Sequence, residues 1–247
     1  MTDAPRIALI TGASRGIGRA AALACARAGM HVVATARAQK ALESLDDEIR
    51  TGGGRCTLVP MDLMDGDAID RLGAALHARH GRLDVLVHAA AHLGQLATVG
   101  ALSPRDADRL IGSNLTATWR LIRSMEPLLM AASGARALFF TSGVVANPRP
   151  HWGLYAATKA GTEALVACWA QEVAFKGVHA TVLNPGPVAT AMRRAAFPGE
   201  DPATLPPPEA LASLILELTG PEPKAKSGAV VHFRDTAHFQ AWEATRA

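Results

Sequence analysis

With 247 residues, 49% of them hydrophobic and 19% charged, the chain can bury a large core and is too apolar to be disordered. A formal charge of only +3, with no basic run interleaved with aromatics, argues against nucleic acid as a partner, and no apolar stretch of about 18 residues could span a bilayer. Cys25, Cys56 and Cys168 are widely spaced and form no metal-type pair, so they read as reduced thiols; together with an N-terminus lacking a charged leader they point to the cytoplasm.

Short apolar, β-branched runs alternate with longer stretches of helical period. In chain order the expected strands are 6–11, 31–36, 56–61, 83–89, 136–142, 179–184 and 229–233. Several of the intervening helical stretches end in Gly, as a left-handed C-terminal cap requires. The strands read as unbroken apolar runs, which suits burial on both faces. This alternation predicts an α/β fold: one doubly wound parallel sheet of about seven strands, helices on both faces, in a single domain over 1–247. The irregular Pro-rich and acidic stretch around 190–208, after the sixth strand, reads either as a mobile flap or as a plain surface excursion.

"ALITGASRGIGRAAAL" runs strand, turn, helix, with Gly12, Gly16 and Gly18 in the turn. Gly12 permits a sharp reversal, Gly16 lets a pyrophosphate approach the main chain, and Gly18 lets the helix begin close to the sheet. The helix start then offers free N–H groups and a positive dipole end to phosphate. "TGASRGIG" at 11–18 resembles the signature of the short-chain dehydrogenase/reductase family. Further motifs follow in the family's order: "MDL" at 61–63, "LDVLVHAAA" at 83–91, "SNLTAT" at 113–118, "TSG" at 141–143, "YAATK" at 155–159 and "NPGPVATAM" at 184–192. The resemblance extends along nearly the whole chain and implies a Rossmann-like domain that binds NADP(H) or NAD(H).

At the end of the second strand Ala36 stands where an NAD-selective acid would, and Arg37 follows it. Arg37 can bind a 2′-phosphate through a charge-assisted fork, and related NADP-dependent members carry a base at the position of Arg15. NADP is therefore favoured, with NAD as the alternative. The resemblance gives Ser14, Ile17, Asp62, Leu63, Ala89, Ala90 and Ala91 to the dinucleotide site. It also gives Pro185, Gly186, Val188 and Thr190, which would meet the nicotinamide end.

Tyr155, the one tyrosine of the chain, and Lys159 share a helix face. A carbonyl that takes hydride at carbon must take a proton at oxygen, and an ammonium nearby together with the nicotinamide's positive charge favours the phenolate and should bring the phenol pKa down. The resemblance implies a tetrad of Asn114, Ser142, Tyr155 and Lys159. Tyr155 exchanges the proton, Lys159 tunes it and holds the nicotinamide ribose, Ser142 bonds the substrate oxygen, and Asn114 anchors a water. Position around the tetrad suggests Gly143, Val144, His92, Trp152, Met192 and Phe197 as substrate-facing.

Two departures stand out. The fourth-strand motif, commonly Asn-Asn-Ala-Gly, is here His88-Ala89-Ala90-Ala91, and the C-terminus continues in a tail carrying Phe239 and Trp242. His88 reads either as bonding across strands or as a satisfied core histidine. The tail could pack on a neighbouring subunit or on its own. The expected activity is hydride transfer between NADP(H) and a small-molecule ketone or secondary alcohol. The rivals are a 3-oxoacyl-thioester reductase and a non-catalytic dinucleotide-binding regulator. The apolar helices at 113–132 and 155–176 resemble those through which the family forms homodimers or homotetramers.

Overall fold

The computed structural model of the chain describes residues 4–222 and 224–245. Residues 1–3 of the N-terminal stretch and 246–247 of the tail lie outside the described residues. Seven parallel strands form one sheet: β1 (Ile7–Thr11), β2 (His31–Ala36), β3 (Arg55–Pro60), β4 (Val85–His88), β5 (Arg136–Phe140), β6 (His179–Asn184) and β7 (Val230–His232). Their spatial order is β3-β2-β1-β4-β5-β6-β7, the doubly wound arrangement expected. The chain leaves β1 in one direction and returns at β4 to continue in the other, so the crevice opens at the carboxyl ends of β1 and β4.

Strand side chains alternate between two cores. Ala8, Ile10, Val85, Val87, Leu138 and Phe140 face α1 (Gly16–Arg27), α2 (Gln39–Thr51) and α8 (Ala212–Leu218). Ile7, Leu9, Leu86, Ala137 and Phe139 face α3 (Gly66–His80), α5 (Ala117–Ala131) and α6 (Gly153–Glu172). Burial on both faces is why the central strands carry no polar alternation. The outer strand β7 spans three residues rather than the five expected, because it pairs on one side only and is part-exposed.

The expected helix over 113–132 is divided. The α4 helix (Pro104–Ile111), capped by Ser103, runs through a wide π turn at Gly112–Thr116 into α5. π turns recur at functional sites, and this one carries Asn114. The stretch read as a flap holds α7 (Ala191–Ala196), capped by Thr190, and a short 3₁₀ turn at Pro202–Thr204. The tail forms α9 (Ala237–Ala244) and folds onto its own subunit: Phe239 is buried edge-on against Phe233 at 5.4 Å, with Trp242 beside it.

Candidate active site

The turn between β1 and α1 is shaped by what cannot fit there. Gly12 has φ +67°, and a Cβ on it would lie 2.8 Å from the main chain of Ala90. A Cβ on Gly18 would fall on the carbonyl oxygen of Gly12. Gly16 also has a positive φ, +56°. These residues bring the main chains of β1, α1 and the β4 turn together more closely than side chains allow. The N-cap residue of α1, Arg15, gives no side-chain cap, so the first N–H groups of the helix face the groove.

That groove, about 380 Å³, runs along the carboxyl edge of the sheet. It collects Gly12, Ser14, Arg15, Gly16, Ile17, Gly18, Arg37, Asp62, Leu63, Ala89, Ala90, Ala91, Tyr155, Lys159, Pro185 and Thr190 from the sequence-derived set. A dinucleotide fits the residues present. Gly16, with no side chain of its own, leaves the groove floor to main chain, and the buried Thr35 hydroxyl, which lines the groove with Arg37, has no hydrogen-bond partner among the described residues. Arg37 lies 3.9 Å from Asp62 with both side chains largely exposed, a weak pairing that leaves the guanidinium available. Arg109 of α4 also lines the groove. Sequence reasoning missed it because an isolated arginine on a polar helix belongs to no motif; only the fold carries α4 to the groove's edge.

A second cavity, about 450 Å³, lies beyond Tyr155. It takes in Ser142, Gly143 and Val144, and is walled by Leu93, Trp152, Met192 and Phe197. Gly186 and Val188, expected at the nicotinamide end of the dinucleotide site, line this cavity rather than the groove because the turn after β6 runs past Tyr155 between the two. His92, expected to face substrate, lines the dinucleotide groove instead, because its main chain is held there by Asn114. Tyr155 borders both spaces. Its ring meets Trp152 edge-on at 5.7 Å, and its hydroxyl lies 4.0 Å from Met192 Sδ.

The far wall is a ladder of planar groups. Trp152 stacks on Phe197 at 5.7 Å, and the Arg193 guanidinium lies 3.7 Å over the Phe197 ring. Glu200 accepts two hydrogen bonds from Arg193, at 2.6 and 2.7 Å. An Asx turn at Asp201 and this fork tie the Pro-rich stretch to the cavity wall.

Burial governs the titrating groups. The phenol of Tyr155 is pushed up to about 12 by burial, and a hydrogen bond from Ser142 opposes this only in part. Lys159 does not offset this burial in the protein alone; the expected lowering belongs to the complex, where the nicotinamide's charge adds to that of the ammonium. The ammonium is 5.9 Å from the ring centre, donates to the Phe140 carbonyl at 3.0 Å, and is itself lowered to about 8 by burial. Two desolvated groups each favour their neutral forms, so the protein alone holds Tyr155 as a proton-bearing phenol. Asn114 lines neither cavity. Only 2% exposed, it accepts from His92 N at 2.7 Å and donates to His92 O at 2.8 Å and to Thr158 Oγ1 at 3.2 Å, so it braces the walls from behind.

A family model described as short chain dehydrogenase matches residues 6–201. The chain is 32% identical over 226 residues to the uncharacterized oxidoreductase YciK of Escherichia coli strain K12, covering 90% of this chain and 89% of that protein. It is 33% identical over 190 residues to a 3-oxoacyl-[acyl-carrier-protein] reductase of Synechocystis, with 76% of each chain covered. Among solved structures, a short chain dehydrogenase from Escherichia coli CFT073 complexed with NADPH matches with a TM-score of 0.88 at 32% identity, covering 92% of this chain and 95% of that one.

Proposed function

Because the chain belongs to the short-chain dehydrogenase family, an oxidoreductase family, we propose that it interconverts a ketone and a secondary alcohol with NADP(H), Tyr155 exchanging the proton. The observation that carries this reading is the place of Tyr155: one phenol forms a wall common to the glycine-built groove and the apolar cavity, with Ser142 and Lys159 beside it. When bound, the dinucleotide supplies or accepts hydride at the nicotinamide. NADP is supported by Arg15, Arg37 and Arg109 along the groove, by Ala36 in place of an acid, and by the NADPH complex of the relative.

Each residue of the chain has a distinct task in this reading. Ser142 donates to the substrate oxygen and turns it toward Tyr155. The phenol, kept protonated by burial, donates to that oxygen in the reducing direction. Lys159, fixed on the Phe140 carbonyl, places its positive charge where phenolate develops and lowers the cost of losing the proton. Trp152, Val144, Met192 and Phe197 exclude water and favour an apolar ketone.

The 3-oxoacyl-thioester reading draws support from the Synechocystis relative. Of Arg193 and Arg194, the two arginines that could meet an acidic carrier, Arg193 is already committed to Glu200 and only the exposed Arg194 is left for it, which favours the simpler ketone. A purely regulatory dinucleotide binder would have no use for Ser142, Tyr155 and Lys159 gathered between groove and cavity. Assembly as a homodimer or homotetramer through α5 and α6 is part of the proposal, supported by the half-exposed Trp119 on α5. No described helix is long and apolar enough to cross a membrane. A cytoplasmic setting is supported by three cysteines free of disulfides.

The test is NADPH oxidation against apolar ketones, aldehydes and acyl thioesters by the wild type and Tyr155→Phe. Removal of the proton donor should lower kcat about 1000-fold while NADPH binding persists. An unchanged kcat in the variant would end the assignment, and NADPH binding without turnover of any compound would favour the regulator.

A further inference from the structure

His88 is buried at the end of β4, fully enclosed, where the family more often has asparagine. Its two ring nitrogens are both engaged: Nδ1 lies 2.7 Å from Thr11 Oγ1, and Nε2 lies 2.9 Å from Thr118 Oγ1. The proton positions follow from the partners. Thr118 has one hydroxyl hydrogen, and at 2.6 Å its other contact is the Asn114 carbonyl, which can only accept. Thr118 must therefore accept from His88, and Nε2 bears the hydrogen.

Burial, with the charge of Lys159 adding to it, brings the His88 pKa down to about 3, so the ring is neutral and Nδ1 is bare. Thr11 then donates to Nδ1, and its lone pair takes the Ala90 N–H at 3.2 Å. One directed chain results: Ala90 N–H to Thr11, Thr11 to His88, His88 to Thr118, and Thr118 to the Asn114 carbonyl. Beyond it the Asn114 amide donates to Thr158, whose hydroxyl donates to the Tyr155 carbonyl at 2.8 Å. Ala90 belongs to the wall of the glycine cradle, and Thr158 sits on α6 between Tyr155 and Lys159.

We propose that His88 is a positioning residue, a neutral imidazole with hydrogen on Nε2 that ties the dinucleotide cradle at Ala90 to the helix turn bearing Tyr155 and Lys159. The inference rests on the oxidoreductase reading of the same site. Its chemistry explains how a departure from the usual asparagine is absorbed: the ring still offers one acceptor and one donor, with the reach to join β1 to the π turn. Phe139 packs edge-on against it at 5.9 Å, so the ring has no water to fall back on. Each broken link would leave a buried polar group unpaired, which is costly. The strain would fall on the distance between cradle and phenol, to which proton transfer is more sensitive than dinucleotide binding.

The test compares His88→Phe, Thr118→Val and Thr118→Ser with the wild type, scoring kcat and the NADPH dissociation constant separately. Thr118→Val keeps shape and removes the link, so the readout survives if His88→Phe does not fold. The expected result is a kcat loss of about tenfold or more in Thr118→Val, recovery of most of it in Thr118→Ser, and a change in NADPH affinity of no more than about threefold. Undiminished kcat in folded Thr118→Val overturns the proposal, as does an equal loss in Thr118→Ser. Nitrogen NMR of labelled histidine reads the network independently of turnover. His88 should show a protonated Nε2 and a bare Nδ1, unchanged between about pH 5 and pH 9. Hydrogen on Nδ1, or titration within that range, overturns it, whereas a wild type with the expected ring state and no turnover would count against the ketone reading alone.

Discussion

Along the groove between β1, α1 and β4 the main chain does the shaping: Gly12 and Gly18 are sites where a Cβ would strike backbone, and the α1 start presents bare N–H groups. Across Tyr155, side chains do it: Trp152, Phe197 and Met192 form the wall, and an Arg193–Glu200 fork holds it in place. Backbone-built surfaces tolerate almost no substitution, and in this proposed enzyme they bind a part common to every turnover. Side-chain-built surfaces can be altered without touching the sheet, so choice of substrate belongs there.

The sharpest way to break this contrast is Gly18→Ala. With its methyl placed on the Gly12 carbonyl, the variant should lose about 3 kcal/mol of stability and bind NADPH about 100-fold more weakly, by thermal melting and titration. Normal binding would mean that the turn can yield and that the main chain does not dictate the groove. At the groove's margin, where side chains take over again, Arg37→Asp should raise the KM for NADPH relative to that for NADH by about 10- to 100-fold. An unchanged ratio would remove Arg37 from 2′-phosphate selection and leave Arg15 and Arg109 to carry it.

The same contrast explains what could be read from sequence. The strands, the glycine turn and the shared face of Tyr155 and Lys159 were legible because each depends on local spacing: apolar runs, positive-φ positions, or one helix face. His92 lies on the groove side because its main-chain N–H donates to Asn114 Oδ1 and its carbonyl accepts from Asn114 Nδ2, 22 residues away, a pairing no local spacing reveals. Arg109, the Trp152–Phe197 stack and the Arg193–Glu200 fork were not legible, since they join elements whose approach only the fold determines. The burial that raises the phenol pKa in the chain alone was not legible for a related reason: spacing shows that a lysine is near but not how dry the surroundings are.

That dryness gives a pH signature located on the shared wall. Burial lowers Lys159 from its ordinary 10.5 to about 8, so the folded protein loses this ammonium as pH rises through about 8 while the unfolded chain keeps it to higher pH. Stability from this group accordingly rises with pH across that window, as the cost of the buried charge disappears. Activity should move oppositely: kcat/KM for NADPH, which reports the free enzyme, should fall by up to about tenfold per pH unit above pH 8. Tyr155 at about 12 stays a phenol throughout and cannot produce that limb. Lys159→Met should abolish it, and a limb that survives the substitution would have to belong to another group.

The smallest effect is expected at the outer end of the aromatic ladder, in Glu200→Gln. The fork on Arg193 is only about a quarter exposed, yet ion pairs near the surface contribute about 0–1 kcal/mol, too little to unfold the domain or disturb the groove. Loosening Arg193 frees Phe197 and lets Trp152 shift, so the cavity should widen on the side away from Tyr155. The KM for a bulky ketone should then change about two- to fivefold relative to a small one, with kcat for the small ketone and NADPH affinity both held. If large and small ketones respond alike, the ladder does not gate the cavity. If NADPH affinity moves as well, the groove and the cavity are mechanically coupled through α7, and the division between a main-chain half and a side-chain half fails where the two meet.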